Sequence, residues 1–383
     1  MRDPSKYDEN DWIDENIPKS SQKDFKRLYN RIYKSLDEEF ILDSLRTNFE
    51  SQVQPKHRLF RAVVDGFSPK DGADGSDSGF ETTIVNPLFE AGQSDAEILL
   101  AKSQANGQIH LCFVSCIVGT EDSQKIATEI NSIATVVESE DNKNRLKSHL
   151  DSESKNIRSV QYLTLTRDRD LIDLDYDVVK IATQPDEYAI WSLVEGELPE
   201  ENDQTIHHKN GTVHHAKLRE IGERGIDVTR VENDDIRYCL TSNPIFPIGE
   251  VCMRIYLQHL GENKDNPKEL KASEFHECYR SKIELGSNRS EIEDIVHEKV
   301  ENLITAALDL EILSEDAEAP NDYKIMWSSQ NAGDIKEMVK YKHFRDRMSD
   351  ECGRLAFEKA KSQWENPNES LTDIDYDAYA SDS

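Results

Sequence analysis

The sequence predicts an α+β protein in which a mixed β-sheet carries flanking helices and a smaller, mainly helical module follows toward the C-terminus. Three observations predict it. Apolar runs of strand length crowd into residues 81–194: TTIV, AEILLA, IHLCFVSCIV, VQYLTL, DVVKIA and YAIWSLV. A single amphipathic helix interrupts them, with Ile126, Ile130, Ile133 and Val137 on one stripe after Thr120 and the first-turn acids Glu121 and Asp122. Past Pro244 the apolar spacing becomes helical and ends in a short β-segment, YKIMW.

Taken in order, residues 1–21 are polar and are expected to lack order. Residues 22–80 read as a helical arm: Phe25, Leu28, Ile32 and Leu36 recur at spacings of three and four, and Leu42, Leu45 and Phe49 continue the pattern. The arm ends in GFSPKDGADGSDSGF, whose Asp71, Asp74 and Asp77 recur every third residue. A helix-loop-helix calcium site needs alternate oxygen ligands and a closing Glu, so a solvated loop is expected.

Residues 81–243 form the α/β domain. AEILLA and IHLCFVSCIV are joined through Asn106-Gly107, a hairpin turn signal, and a second, histidine-rich hairpin is expected over 204–216 on Asn210-Gly211. Residues 244–330 carry helical stripes at Ile248 to His259, Ser273 to Leu285 and Ser290 to Leu310, the last opened by a Ser290/Glu293 capping box. Three helices followed by a polar β-hairpin is the order of a winged helix-turn-helix. Residues 331–364 read as one long helix and 365–383 as an acidic tail.

Charge limits what such a protein can touch. Asp and Glu number 76 against 46 Lys and Arg, a formal net charge of −30 over 383 residues. At ordinary salt that field repels nucleic-acid backbones and anionic membranes. Two environments relieve it, a cytosol of molar salt or a basic protein partner. Because the acid is dispersed through nearly every segment, a halophilic cytosol is the favoured reading, although Lys is not depleted relative to Arg. The longest apolar run, 109–119, is too short to cross a bilayer, and MRDPSKYDENDW is unlike a signal peptide. A soluble, cytoplasmic protein with no membrane partner is expected. The six cysteines sit mostly in apolar stretches and are expected to be reduced core thiols.

The segment from Asp95 through the helix after IHLCFVSCIV resembles the restriction-endonuclease-like, PD-(D/E)xK, nucleases. The resemblance implies an Asp before one strand and a Glu-x-Lys on its neighbour, with two carboxylates holding Mg²⁺ while the Lys serves the attacking water. Here Asp95 precedes AEILLA, but Ser115 and Ile117 stand where the Glu and Lys belong. Neither can replace them. The implied expectation is a degenerate site without cofactor, with Mg²⁺ entering only if Asp95, Glu97 on the same strand face and Glu39 on the preceding helix rebuild it.

Other constellations are weaker. Across the expected hairpin His207 faces His214, but each face offers at most two imidazoles and zinc needs three or four protein ligands. The third helix of the winged module exposes Glu291, Glu293, Asp294, Glu298 and Glu301 against Lys299 alone, which favours docking to protein over reading DNA. The basic stretch KEMVKYKHFRDR supplies the candidate nucleic-acid contacts Lys336, Lys340, Lys342, Arg345 and Arg347. No phosphate-binding loop, dinucleotide fingerprint, nucleophile elbow or kinase motif set is present.

The expected function is a non-catalytic DNA-associated or complex-forming subunit whose partners are other protein subunits and, at high salt, DNA. The resemblance implies a setting in antiviral defence, restriction or a mobile element of a halophilic microbe. Two alternatives are a Mg²⁺-dependent nuclease with a migrated active site and a winged-helix transcriptional regulator.

Overall fold

The computed structural model describes residues 9–67, 74–85, 88, 98–119, 123–150, 155–172, 174–195, 204–228, 245–262, 264, 267–280, 289–315, 322–327 and 332–366. In chain order the helices α1 (Glu9–Asn16), α2 (Gln22–Tyr33), α3 (Glu38–Asn48) and α4 (Gln54–Gly66) precede strands β1 (Glu81–Val85), β2 (Ile98–Ser103) and β3 (Gln108–Cys116). Helices α5 (Ser123–Glu138) and α6 (Glu140–His149) lead to β4 (Asn156–Arg167), and α7 (Tyr176–Ala182) leads to β5 (Tyr188–Glu195). Then come β6 (Gln204–Gly211), α8 (Ala216–Arg224) and β7 (Ile226–Asp227). The remainder is α9 (Ile245–Gly261), β8 (Glu269–Lys271), α10 (Ala272–Arg280), α11 (Arg289–Asp309), β9 (Leu313–Glu315), β10 (Asp322–Ile325) and α12 (Ala332–Glu365).

These elements divide into two compact units, one of residues 1–51, 310–312 and 327–383 and one of residues 52–309 and 313–326. In the first unit α12 packs on α2 and α3. Its core joins Phe25, Tyr29, Ile32 and Ile41 to Cys352, Ala356, Phe357 and Ala360. The long C-terminal helix therefore completes a helical unit with the N-terminal arm. The polar opening segment is drawn in as well, because Ile17 is buried and Trp12 meets Phe357 edge-on at 5.7 Å.

The second unit is built on a seven-stranded sheet whose spatial order follows the chain, β1-β2-β3-β4-β5-β6-β7. The pairs β1/β2, β2/β3, β5/β6 and β6/β7 are antiparallel, whereas β3/β4 and β4/β5 are parallel. Both parallel connections run through helices, as a parallel crossover requires. A mixed α+β architecture with helices flanking a mixed sheet thus follows. The unbroken apolar run of β3 reflects burial on both faces. On one face Leu99, Leu111, Phe113, Tyr162 and Ile190 pack with the α5 stripe Ile126, Ile130, Ile133 and Val137. On the other, α4 packs on β2, β3 and β4, and α8 packs on β6.

Two segments depart from the sequence expectation. DVVKIA is helix α7, opened by Asp175, whose carboxylate accepts from the backbone N–H groups of Asp177 and Val178 at 3.0 and 3.2 Å. Only Val179 is buried there and Ile181 is 85 % exposed, so an apolar run that reads as a strand lies on the surface as a short capped helix. The histidine-rich segment does not fold back on Asn210-Gly211. Instead β6 runs antiparallel to β5 up to Gly211, where φ is +84° and an added Cβ would lie 2.4 Å from the Tyr188 carbonyl oxygen. The chain then leaves the sheet: Thr212 N–H donates to Tyr188 O, the Gln161 amide donates to Thr212 O, and His215 caps α8.

The remaining elements form a second, three-stranded antiparallel sheet in the order β8-β10-β9. His259 of α9 is 2 % exposed and fastens this region, with Nε2 at 2.6 Å from Glu274 Oε1 and Nδ1 at 3.2 Å from Pro267 O. Glu274 also accepts from Lys264 and from the Lys271 N–H. Its carboxyl is held below the usual range because those donors outweigh the opposing effect of its partial burial.

Candidate functional site

In open sheets with parallel strands, ligands gather at the strands' carboxyl ends. Here β3, β4 and β5 end together, and the face toward α5 and α7 carries a row of small hydroxyls instead of large apolar groups. Ser115 pairs with Thr164 across β3/β4, Thr166 with Ser192 across β4/β5, and Ser192 with His207 across β5/β6. Ser115 is 2 % exposed and donates from Oγ to Glu129 Oε2 of α5 at 2.9 Å. Thr164 and Thr166 are fully buried, and neither hydroxyl has a partner among the described residues.

Around this row lie two ion pairs. Asp168, directly after β4, bonds Lys209 Nζ at 2.7 Å and accepts from Ser192 Oγ at 2.9 Å. The Lys209 hydrogen bond is the main cause holding its carboxyl below the usual range, with Ser192 and the charges of Lys209 and His207 acting in the same direction. Arg167 and Asp170 form a bidentate pair at 2.6 and 2.8 Å, with both side chains nearly enclosed. Asp170 also accepts from the Gly119 N–H at 3.1 Å, tying the turn after β3 to the end of β4.

The residues of the nuclease resemblance fare unequally. Ile117, where the ammonium would belong, is 3 % exposed inside the cluster of Phe113, Ile126 and Ile130. Ser115 is committed to Glu129. A hydroxyl and a butyl group do not form a donor set for Mg²⁺, and no chemical step is assigned to that ion here. Asp95 and Glu97 lie outside the described residues. Glu39 is exposed in the first turn of α3, in the helical unit. The helix that precedes β1 and packs on the sheet is α4, which carries no Glu and whose buried carboxylate, Asp65, faces Arg61 at 3.4 Å. The sequence does not separate α3 from α4, because Phe49–Val53 between them is itself helical, a π-helical turn.

His207 and His214 are not opposed. His207 pairs with Ser192 in the ladder, whereas His214 is exposed beyond the strand, its N–H donating to Gln161 Oε1. Among the described residues no three His, Cys, Asp or Glu side chains cluster as metal ligands. The five basic candidates all lie on α12. Lys342 Nζ donates to the Glu311 carbonyl at 2.9 Å, and Lys340 is half-buried, while Arg345 and Arg347 are exposed. The side chain of Lys336 is outside the description.

At the opposite ends of the parallel strands a cleft of about 750 Å³ is lined by Lys143, Lys147, Arg158, Glu138, Glu187 and Tyr162. Burial, then Glu138 and Glu187, push the Tyr162 phenol up to about 12, so this cleft offers an uncharged hydroxyl among charges of both signs.

The fold defines the chain as a mixed α+β protein with a helix-flanked sheet. No family model, curated protein or solved structure matches it.

Proposed function

We propose that the protein is a non-catalytic, complex-forming subunit built on a nuclease-like sheet, with α9–α11 and β8–β10 as a protein-docking module. The observation that carries this reading is Ile117: the place of the catalytic ammonium is occupied by a sealed core side chain, next to a Ser115 bonded to Glu129. Two further points support it. The antiparallel β1-β2-β3 run, the crossover through α5 and the parallel β4 follow the order expected of restriction-endonuclease-like sheets. The sequence helix, strand, helix, helix, strand, strand with sheet order β8-β10-β9 is the arrangement a winged helix requires. A chain of charge −30 is better matched to basic protein than to phosphate, and α11 places Glu301 in solvent where a DNA-reading helix needs cations. The proposed setting is a defence, restriction or mobile-element system in a high-salt cytosol.

The test is a pull-down from the source cells at their own internal salt, with and without nuclease treatment. Stoichiometric protein partners that survive the nuclease support the reading. Partners released by nuclease would move DNA association ahead. Cleavage of duplex or single-stranded DNA in Mg²⁺ or Mn²⁺ that is lost in Asp95→Ala would overturn it in favour of the migrated-site nuclease.

A further inference from the structure

The sheet unit contains a cationic cluster that the proposed function does not use. Lys102 on β2 pairs directly with His110 on β3, and His110 with Ser159 on β4, at the sheet end away from the hydroxyl row. His215, at the start of α8, stacks edge-on against His110 at 5.1 Å and against Phe80 at 5.0 Å, and Lys102 Nζ lies 5.9 Å from the Phe80 ring centre. Lys217 follows in the first turn of α8 and is exposed. In a chain so rich in acid, cations ordinarily find carboxylates. Among the described residues, none of these four side chains is paired with one.

The hydrogen bonds fix where the free donors are. The Gln104 amide nitrogen sits 3.0 Å from His110 Nε2, so that nitrogen accepts and the ring proton is on Nδ1, directed at Ser159 Oγ at 2.7 Å. Ser159 accepts there and keeps its own hydroxyl hydrogen for another acceptor. His215 Nδ1 accepts from the Leu218 N–H at 3.4 Å, which leaves its proton on Nε2. Lys102 spends one N–H on the Ser78 carbonyl at 2.5 Å and retains two. The set therefore offers two ammonium groups, an imidazole N–H and a hydroxyl hydrogen as donors, beside the positive end of α8. Burial first, and then the charge of Lys102, lower both histidines, His215 to about 4.

We infer that this cluster is an oxyanion site for a phosphate group, held by Lys102, Lys217, Ser159 and His215. Its ligand is inorganic phosphate, a small phosphorylated molecule or a nucleic-acid phosphate, which share that chemistry. The inference does not rest on the nuclease-like or subunit reading, because no residue of the hydroxyl row takes part.

The experiment follows the ring carbon-bound proton signals of His110 and His215 by NMR in the full chain, as inorganic phosphate replaces KCl at constant ionic strength. A saturating shift confined to these two rings is expected, weakened about tenfold in Lys217→Glu, an exposed position that leaves the fold intact. Lys102→Met should weaken it further. Shifts identical to those in KCl alone, or equal in wild type and Lys217→Glu, would overturn the site. Oligonucleotides with a 5′-phosphate or a 5′-hydroxyl separate the sources. Preference for the former assigns a terminal phosphate, equal binding assigns the backbone, and phosphate binding without either assigns a small ligand.

Discussion

Replacing Ile117 by Lys tests whether the position that the nuclease resemblance assigns to a lysine is closed to solvent. Ile117 continues β3, its N–H donating to Leu165 O at 2.9 Å, and its side chain is 3 % exposed among Phe113, Ile126 and Ile130. Removing the isoleucine forfeits about 2 kcal/mol of burial. An ammonium in the same place adds several kcal/mol, whether it stays charged or enters neutral with a depressed pKa. The sum, about 4–6 kcal/mol, is a large fraction of a domain's usual stability. Ile117→Val, which removes one methylene, should cost about 1 kcal/mol. Urea unfolding followed by hydrogen exchange in peptides spanning β3 to β5 reads the sheet unit separately from the helical one. A Ser115→Glu, Ile117→Lys double variant should be no nuclease, since the new carboxylate meets Glu129 and the new Lys destabilises the core. If Ile117→Lys unfolds within about 1 kcal/mol of wild type, the side chain reaches solvent, the site is open and the closure argument fails.

Four further outcomes are expected. Gly222→Ala puts a Cβ 2.7 Å from Trp191 Cζ2, so it should destabilise the sheet unit by about 1–3 kcal/mol, which denaturation of the purified variant reads directly. Asp170→Asn strands the enclosed Arg167 guanidinium and should cost about 3 kcal/mol, with faster exchange at the Gly119 amide as the local readout. Both His215 and His343 are held at about 4, chiefly by burial, while an unfolded histidine titrates near about 6.5. Between those values the unfolded chain binds more protons, so stability falls as pH drops from about 6.5 toward 4, by about 1 kcal/mol per histidine after allowance for their partial exposure. Urea midpoints at pH 7 and 5 check this, and His215→Asn, which retains a capping side chain, should flatten that part of the slope. The −30 charge predicts a thermal midpoint that rises from low to molar KCl, and a flat curve would point to a basic partner instead of a saline cytosol.

Much of the sheet was legible from local pattern. The apolar runs read at 96–101, 109–118 and 188–194 fall on β2, β3 and β5, whose apolar side chains are mostly buried, and the Ile126 to Val137 stripe faces that sheet as its spacing requires. The three helices after Pro244 and the β-segment behind them were equally readable, since Gly261, Ser290 and the periodic residues depend on neighbours only a few positions away, but the three-residue strand β8 between α9 and α10 was not. What local pattern could not supply was pairing. DVVKIA and HHKNGTVHH each permit two structures, and the choice fell to Asp175 capping α7 and to Tyr188 and Gln161 receiving the chain beyond Gly211. The substitution of Ser115 and Ile117 at the expected metal site was visible in the sequence. That Glu129 meets Ser115, that Ile117 is sealed, and that Glu39 belongs to another unit were not, because each depends on partners far away along the chain. The cationic cluster is the clearest case. Lys102, His110, Ser159, His215 and Lys217 come from four segments with no shared motif, and only the register of β2, β3 and β4 with the start of α8 brings their donors together.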